Sequence, residues 1–397
     1  MLKQKLYSTM YASFIVLLAV MIISFPQVVL KASQRGLEVW SNVVFPSLLP
    51  FFIVAELLIA FGVVHFIGVL FEPVMRPLFN VPGVGGFVWT MGMASGYPSG
   101  AKFTARLRQE NQLSRTEAER LVSFTNASNP LFIIGAVSIG FFHNQQLGIL
   151  LAITHYVSNF LVGICMRFYK YKEREKFQLQ HLSFRKAFAH LHQARIKENK
   201  PLGKILGDAV QHSIQTLLII GGFIILFSVL TEILRQIHVA DMLATGLAFI
   251  LNLLHLPAEM ALPLMTGFFE ITIGANEVSA TDTSLLIQAI IVSIILAFNG
   301  FSVQAQVASI LAETDIRFAP YFFARLLHTV IASITVIVLY VPVYKNQIAS
   351  QEPAMTAFSQ LVVHPAERAY LVFGHVGFMI TFCALFVYLL LLLNNKR

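Results

Sequence analysis

The segment Met91-Gly-Met-Ala-Ser-Gly-Tyr-Pro-Ser-Gly-Ala-Lys102 breaks an otherwise hydrocarbon-like sequence with polar and helix-disrupting residues. Gly96, Pro98 and Gly100 oppose a continuous helix, and every backbone group freed in a bilayer interior costs several kcal/mol unless protein or a water-filled cavity satisfies it. The segment therefore predicts a re-entrant hairpin that lines a site. Met265-Thr-Gly-Phe-Phe-Glu-Ile-Thr-Ile-Gly-Ala-Asn276 has the same plan of glycine, polar centre and second glycine, so the chain contains the device twice.

The surroundings suit a membrane. The 397 residues are 56% hydrophobic and 12% charged, with mean hydropathy +0.71, more apolar surface than a water-soluble core can hide. Apolar windows of bilayer length fall near Tyr11–Phe25, Trp40–Phe61, Leu121–Phe142, Leu147–Phe168, Ile214–Leu234, Leu285–Leu311, Tyr321–Val343 and Tyr370–Leu393. The expectation is an all-α polytopic membrane protein with about eight transmembrane helices and two re-entrant hairpins. Cys165 and Cys383 both lie in these windows without ligand spacing, which argues against a disulfide framework or a thiolate metal site.

The net charge of +8 is concentrated between Lys170 and Lys204, where ten Lys/Arg face three acids. That bias reads as a cytoplasmic loop, and no nucleic-acid motif accompanies it. Threading the spans from this loop puts Lys3, Lys5, the Arg106–Arg120 region and the terminal Lys396-Arg397 inside, with His143–Gln146 outside. Leu30-Lys-Ala-Ser33 is a poor cleavage site, so the first span reads as uncleaved, and neither end carries a lipidation box. His181 to Lys200 reads as a solvated connector that could be helical.

Glu56 and Glu232, Gly92 and Gly267, and Asn126 and Asn299 are separated by 176, 175 and 173 residues. In the threading above the first hairpin enters from the cytoplasm and the second from outside, an inverted repeat of the kind alternating access requires. The expected organisation is an N-terminal transmembrane helix (1–36), a first repeat with hairpin one (37–169), the basic loop (170–206), a second repeat with hairpin two (207–344), and a linker with a C-terminal transmembrane helix (345–397). Val64–Phe79 and Asp241–Leu254 read as short interfacial helices, one in each repeat.

No phosphate loop survives inspection, because Gly96 to Lys102 has the wrong spacing. There is no His-Glu-x-x-His pair, and no nucleophile–base pair stands at a workable distance. Enzyme chemistry and a metal cofactor are not expected. The remaining candidates are polar groups at mid-membrane depth, which mark solute or ion paths by default. They are Ser95, Tyr97, Ser99 and Lys102 in hairpin one, Asn126, Ser128 and Asn129 after it, Glu270, Thr272 and Asn276 in hairpin two, and Asn299 and Ser302 (with Gln304) beyond. Glu270, among Phe268, Phe269 and Ile271, reads either as a solute or proton site or as a structural ion pair with Lys102. Glu56 and Glu232 read as interfacial, and His155, His212 and His328 as packed or hydrogen-bonded.

The paired hairpins, Phe268-Phe-Glu-Ile-Thr272 and the Asn-containing span after each resemble the nucleoside-recognition (Gate) domains of concentrative nucleoside transporters. The run from Trp40-Ser-Asn-Val-Val-Phe-Pro-Ser-Leu-Leu-Pro50 through Val81-Pro-Gly-Val-Gly-Gly-Phe87 and Met93–Lys102 to Ser123-Phe-Thr-Asn-Ala-Ser-Asn-Pro130 resembles sporulation integral membrane proteins of the YlbJ (stage V, SpoVV) type, over nearly the whole chain. That resemblance implies the mother-cell membrane around the forespore, export of dipicolinic acid, and a part in spore cortex formation and dehydration. Hairpin one lacks the Gln-Thr-Glu-type run of the nucleoside transporters, which points away from a nucleoside cargo.

The reading is an inverted-repeat transporter of a small polar or anionic solute. An aromatic dicarboxylate would be held by half-helix N-termini, the asparagines and Lys102, with Tyr97, Phe269, Phe298 or Phe301 stacking on its ring. The coupling ion, H+ or Na+, is open, as is association between copies of the chain. A nucleoside-type transporter and a non-transporting membrane scaffold are the alternatives.

Overall fold

The computed structural model describes residues 2–171, 188 and 200–345. Among these the chain forms helices and no strand. The greater part of the basic loop, including the His181–Lys200 connector apart from Phe188 and Lys200, lies outside the described residues, as do Cys383 and the Tyr370–Leu393 window.

The first helix, Leu2–Ser24 (α1), turns by 100° at Phe25 into Pro26–Val39 (α2). Pro26 occupies the first turn of α2, where a missing N–H costs nothing. Ala32 and Gly36 bring α2 against Leu202–Gln236 (α9) so closely that a Cβ on Gly36 would stand 2.9 Å from the Ile225 Cα. Small residues allow this backbone approach, the usual basis of helix association in lipid. Ser228 Oγ donates to Ala32 O at 2.9 Å and Trp40 Nε1 to Leu217 O at 2.8 Å, pinning the register.

One element order then occurs twice. Phe45–Ala60 (α3), Val63–Phe79 (α4), the pair Val84–Ser95 (α5) and Ser99–Gln109 (α6), the broken helix Arg115–Thr125 (α7) plus Leu131–Phe141, and Gln145–Met166 (α8) form the first set. The second set comprises α9, Val239–Leu253 (α10), the pair Ala261–Phe269 (α11) and Ile271–Ser279 (α12), the broken helix Leu285–Phe298 (α13) plus Gly300–Leu311 (α14), and Phe318–Leu339 (α15).

Among the described residues four helical stretches are long and apolar enough to cross a bilayer, or five if the bent α1–α2 pair is one span. The windows expected at Trp40–Phe61 and Leu121–Phe142 are composites. A π-helical turn, Trp40–Val44, precedes the sixteen-residue α3. Helix α7 ends at Thr125, and Pro130, which lacks an N–H, stands at the start of the next helix. The Leu285–Leu311 window is interrupted too, with Asn299 and Gly300 at φ +73° and +61°.

Glycines close both helix pairs. A Cβ on Gly92 would stand 3.4 Å from the Gly100 Cα, and one on Gly100 would overlap the Thr125 carbonyl group and stand 2.6 Å from the Asn126 nitrogen. In the second set a Cβ on Gly274 would fall on the Gly267 backbone, and one on Gly300 would meet the Gly267 oxygen at 3.2 Å. Each hairpin is therefore sealed on itself and seated against the break of its own set.

The two sets are also tied at one end by charge. Arg108 grips Asp315 through two bonds of 2.8 Å, and Arg317 grips Glu119 at 2.7 and 3.0 Å. The Arg108 hydrogen bond is the main cause holding the Asp315 carboxyl below its ordinary range. Near the start of α8 the tie is neutral, with Asn144 Nδ2 donating to the Tyr344 hydroxyl at 2.6 Å.

Gly274→Ala and Gly100→Ala should each destabilise the detergent-solubilised protein by roughly 1–3 kcal/mol, because overpacking cannot relax against backbone. Gly246→Ala, where a Cβ meets nothing within 4 Å, should be neutral or stabilising by up to about 1 kcal/mol. Thermal unfolding of the three variants measures the contrast.

Candidate functional site

Both helix-pair tips, the first break and the helix that follows the second break border a single cavity of about 580 Å³. Ser95, Gly96 and Tyr97 contribute from the first tip, Ser128 and Asn129 from the first break, Glu270 and Thr272 from the second tip, and Ser302 and Gln306 from beyond the second break. Apolar residues of α3, α9 and the Leu131–Phe141 helix, among them Leu48, Ile220, Ile224 and Phe132, complete the wall. Among the described residues, Glu270 is the sole one with a formal charge on this lining.

Glu270 takes extended backbone angles between α11 and α12, and its Oε2 accepts the Ile273 N–H at 2.7 Å, capping α12. It is 6% exposed. Among the described residues no cation lies in ion-pair range of it; Arg35, the cation that acts on it from a distance, is bound to Glu232 at 2.7 Å. The Lys102 pairing considered for Glu270 is not formed.

Asn129 stitches tip to break, donating from Nδ2 to Ser95 O at 3.0 Å while its Oδ1 accepts Phe132 N–H at 2.7 Å. Tyr97 donates its hydroxyl to Leu296 O at 2.7 Å, joining the first tip to the second broken helix. Ser95, Ser128 and Ser302 carry buried hydroxyls that no protein group satisfies. Unsatisfied buried hydroxyls are rare, and a χ1 rotation is all that each needs to serve a bound solute.

Other expected site residues lie elsewhere. Ser99 is buried beside the first tip without bordering the cavity. Lys102 stands 3.0 Å from Glu56 and 4.6 Å above the Phe52 ring, away from the cavity. Asn276 is exposed. The cause is the same for both: each lies two residues past the glycine that faces its hairpin partner, about 200° around the helix. Glu56, expected near an interface, is thus the buried partner of Lys102. Asn126 and Asn299 meet behind the cavity on the Tyr321 hydroxyl, each at 2.9 Å. With its oxygen toward Tyr321, Asn299 also donates from Nδ2 to Leu296 O at 2.8 Å. Gln304 donates to Phe298 O at 3.0 Å. Phe269, Phe298 and Phe301 pack on one another, with centroids 5.3 to 5.5 Å apart for the Phe301 pairs, and do not line the cavity.

Four contributors were missed from sequence: Gln306, Tyr321, Asn159 and Arg325. The signal was present in α15, where Tyr321, Arg325, His328, Ala332 and Val336 recur at helical spacing and are all buried. An arginine within an apolar span is a functional candidate by default. Arg325 donates to Asn126 O at 3.3 Å, to Asn159 Oδ1 at 3.1 Å, to His328 Nδ1 at 3.1 Å, and to Ser123 O. The bonds to Asn126 O and Ser123 O serve the terminal carbonyls of α7, where a cation also meets the negative end of the helix dipole.

Residues 42–142 and 217–316 match the Gate family, described as nucleoside recognition. Over 395 residues the chain is 54% identical to the sporulation integral membrane protein YlbJ of Bacillus subtilis (strain 168), covering 98% of this chain and 96% of that protein. The chain belongs to the YlbJ family of sporulation integral membrane proteins. No solved structure matches it. In this YlbJ-family chain each Gate segment contains one glycine-closed helix pair and one helix break, so the segments supply both halves of the cavity.

Lys102→Met should destabilise by roughly 3–5 kcal/mol, because it strands a buried carboxylate, whereas the double replacement Lys102→Met with Glu56→Gln should recover most of that loss. Melting temperatures of the wild type and these variants check this; additive losses would show that the pair is not a unit.

Proposed function

We propose that the protein is an alternating-access transporter of the sporulating cell that moves a small polar or anionic solute. Its cargo would be dipicolinic acid, carried out of the mother cell toward the forespore across the mother-cell membrane, in support of cortex formation and spore dehydration. The observation that carries the reading is the convergence of two helix-pair tips and the second halves of two broken helices on one cavity. A volume of about 580 Å³ lies within the range of small-molecule sites. Discontinuous helices meeting between two repeats are the usual architecture of a transporter's solute site.

In this reading the helix pairs are re-entrant, and the repeats are inverted about the membrane plane. Helix α12 starts at the cavity with Ile271 and Thr272, so the N-terminal amides that the Glu270 cap leaves free face a solute carboxylate. Ser95, Ser128, Thr272, Ser302, Asn129 and Gln306 supply hydrogen bonds, and Tyr97 presents its ring. Glu270 is the coupling group: a protonated Glu270 admits an anion, and its ionisation expels it. The paired salt bridges of Arg108 and Arg317 lie at the end that the Lys/Arg bias assigns to the cytoplasm, and in this reading they close that end.

Purified protein in liposomes tests the proposal. Flux of pyridine-2,6-dicarboxylate is expected, driven by a pH gradient and reduced tenfold or more, about 1.4 kcal/mol, by Glu270→Gln. Exposed Glu259→Gln should leave it unchanged. Preferential uridine flux would favour the nucleoside-type reading, and absence of flux for either solute would favour a scaffold.

A further inference from the structure

Arg325 and Glu270 are both buried, and among the described residues each is bonded only to neutral groups. Glu270 borders the cavity, and Arg325 lies behind the Asn126–Asn129 segment, two residues of which, Ser128 and Asn129, border it as well.

The hydrogen bonds fix the protonation of the cluster around Arg325. Because the guanidinium donates to His328 Nδ1, that nitrogen holds a lone pair, and His328 Nε2 carries the proton toward Ser158 Oγ at 2.8 Å. His155 Nε2 accepts the Ser128 N–H at 3.1 Å and so holds a lone pair too. Both histidines are therefore neutral. Asn159 bonds to Arg325 and also donates to Phe124 O at 2.5 Å. The cluster carries the one positive charge of Arg325, and no described carboxylate cancels it.

Capping α7 alone does not call for a charge, since a neutral amide could serve its terminal carbonyls. Retaining an ion whose desolvation costs several kcal/mol suggests that the charge itself is used. We propose that Arg325 is a positioning residue that sets the charge preference of the cavity. It holds the first break in shape and maintains a positive field that favours a solute bearing an anionic group against Ser128 and Asn129. This inference rests on the reading of the cavity as a solute site. It also places there the cationic influence that Lys102, bound to Glu56, does not supply.

The test compares two ligands with the same ring and substitution, pyridine-2,6-dicarboxylate and the uncharged pyridine-2,6-dicarboxamide, binding to the full chain in nanodiscs. The measured quantity is the ratio of their affinities, which a purely structural loss would lower for both alike. The wild type should favour the dianion. Arg325→Lys keeps the charge but not the four-acceptor geometry, so it should weaken both ligands and retain the preference. Arg325→Gln should reduce the preference by on the order of tenfold or more, as expected for removing a full charge at close range in a low-dielectric site. An unchanged ratio in Arg325→Gln would overturn the inference. If that variant is not recovered folded, the same ratio is read in the second charge-removing variant, Arg325→Met: a preference reduced tenfold or more supports the inference and an unchanged one overturns it. Equal or reversed wild-type affinities overturn the inference alone, whereas no binding of either compound removes the solute-site reading and the inference with it.

Discussion

A broken helix in an apolar setting frees backbone groups that must be satisfied where they stand, and four such breaks dictate most of what surrounds the cavity. At the first tip, Gly92 and Gly100 let backbone meet backbone, and Asn129 covers the Ser95 carbonyl. At the first break, Arg325 and Asn159 take up the carbonyls of Phe124, Ser123 and Asn126. At the second tip, the Glu270 side chain caps the helix that its own backbone interrupts. At the second break, Asn299 adopts the left-handed conformation its short polar side chain tolerates and bonds to Tyr321. Tyr321 thus couples the two breaks, since Asn126 reaches the same hydroxyl.

The same economy separates scaffold charges from site charges. Glu56 with Lys102, Glu117 with Arg76, and Arg235 with Glu277 are close ion pairs that hold helices together. Two of these ties correspond between the halves with their polarity exchanged: Lys102 on the second arm of the first hairpin reaches Glu56 on α3, and Glu277 on the second arm of the other hairpin reaches Arg235 on α9. Each hairpin is thereby bound to the helix that opens its own set. Glu270 and Arg325 stand outside this pattern.

Much of the fold was legible because it is written in local chemistry. The glycine-flanked polar runs at 91–102 and 265–276 announced the two helix pairs, and a near-constant offset announced the repeated order. Asn126 and Pro130 lay in plain view, yet the apolar content of Leu121–Phe142 made one span of what is a broken helix. The site was only partly legible. Ser95, Tyr97, Ser128, Asn129, Glu270, Thr272 and Ser302 do border the cavity. Lys102 and Asn276 are polar residues of the two hairpins, but the face on which each falls is set by the glycine two residues earlier. The spacing in α15 marks Arg325 as buried, but its partners stand 166 to 202 positions away, and that spacing does not name them.

The central claim is that both halves of the chain share one small cavity. In a background with Cys165 and Cys383 replaced by alanine, a bulky thiol-reactive reagent can be applied to Ser95→Cys, to Thr272→Cys and to the double variant, with intact mass spectrometry counting the adducts. The account predicts one adduct on each single variant and one on the double variant, because the first reagent fills the space the second would need. Two adducts on the double variant would contradict a shared cavity.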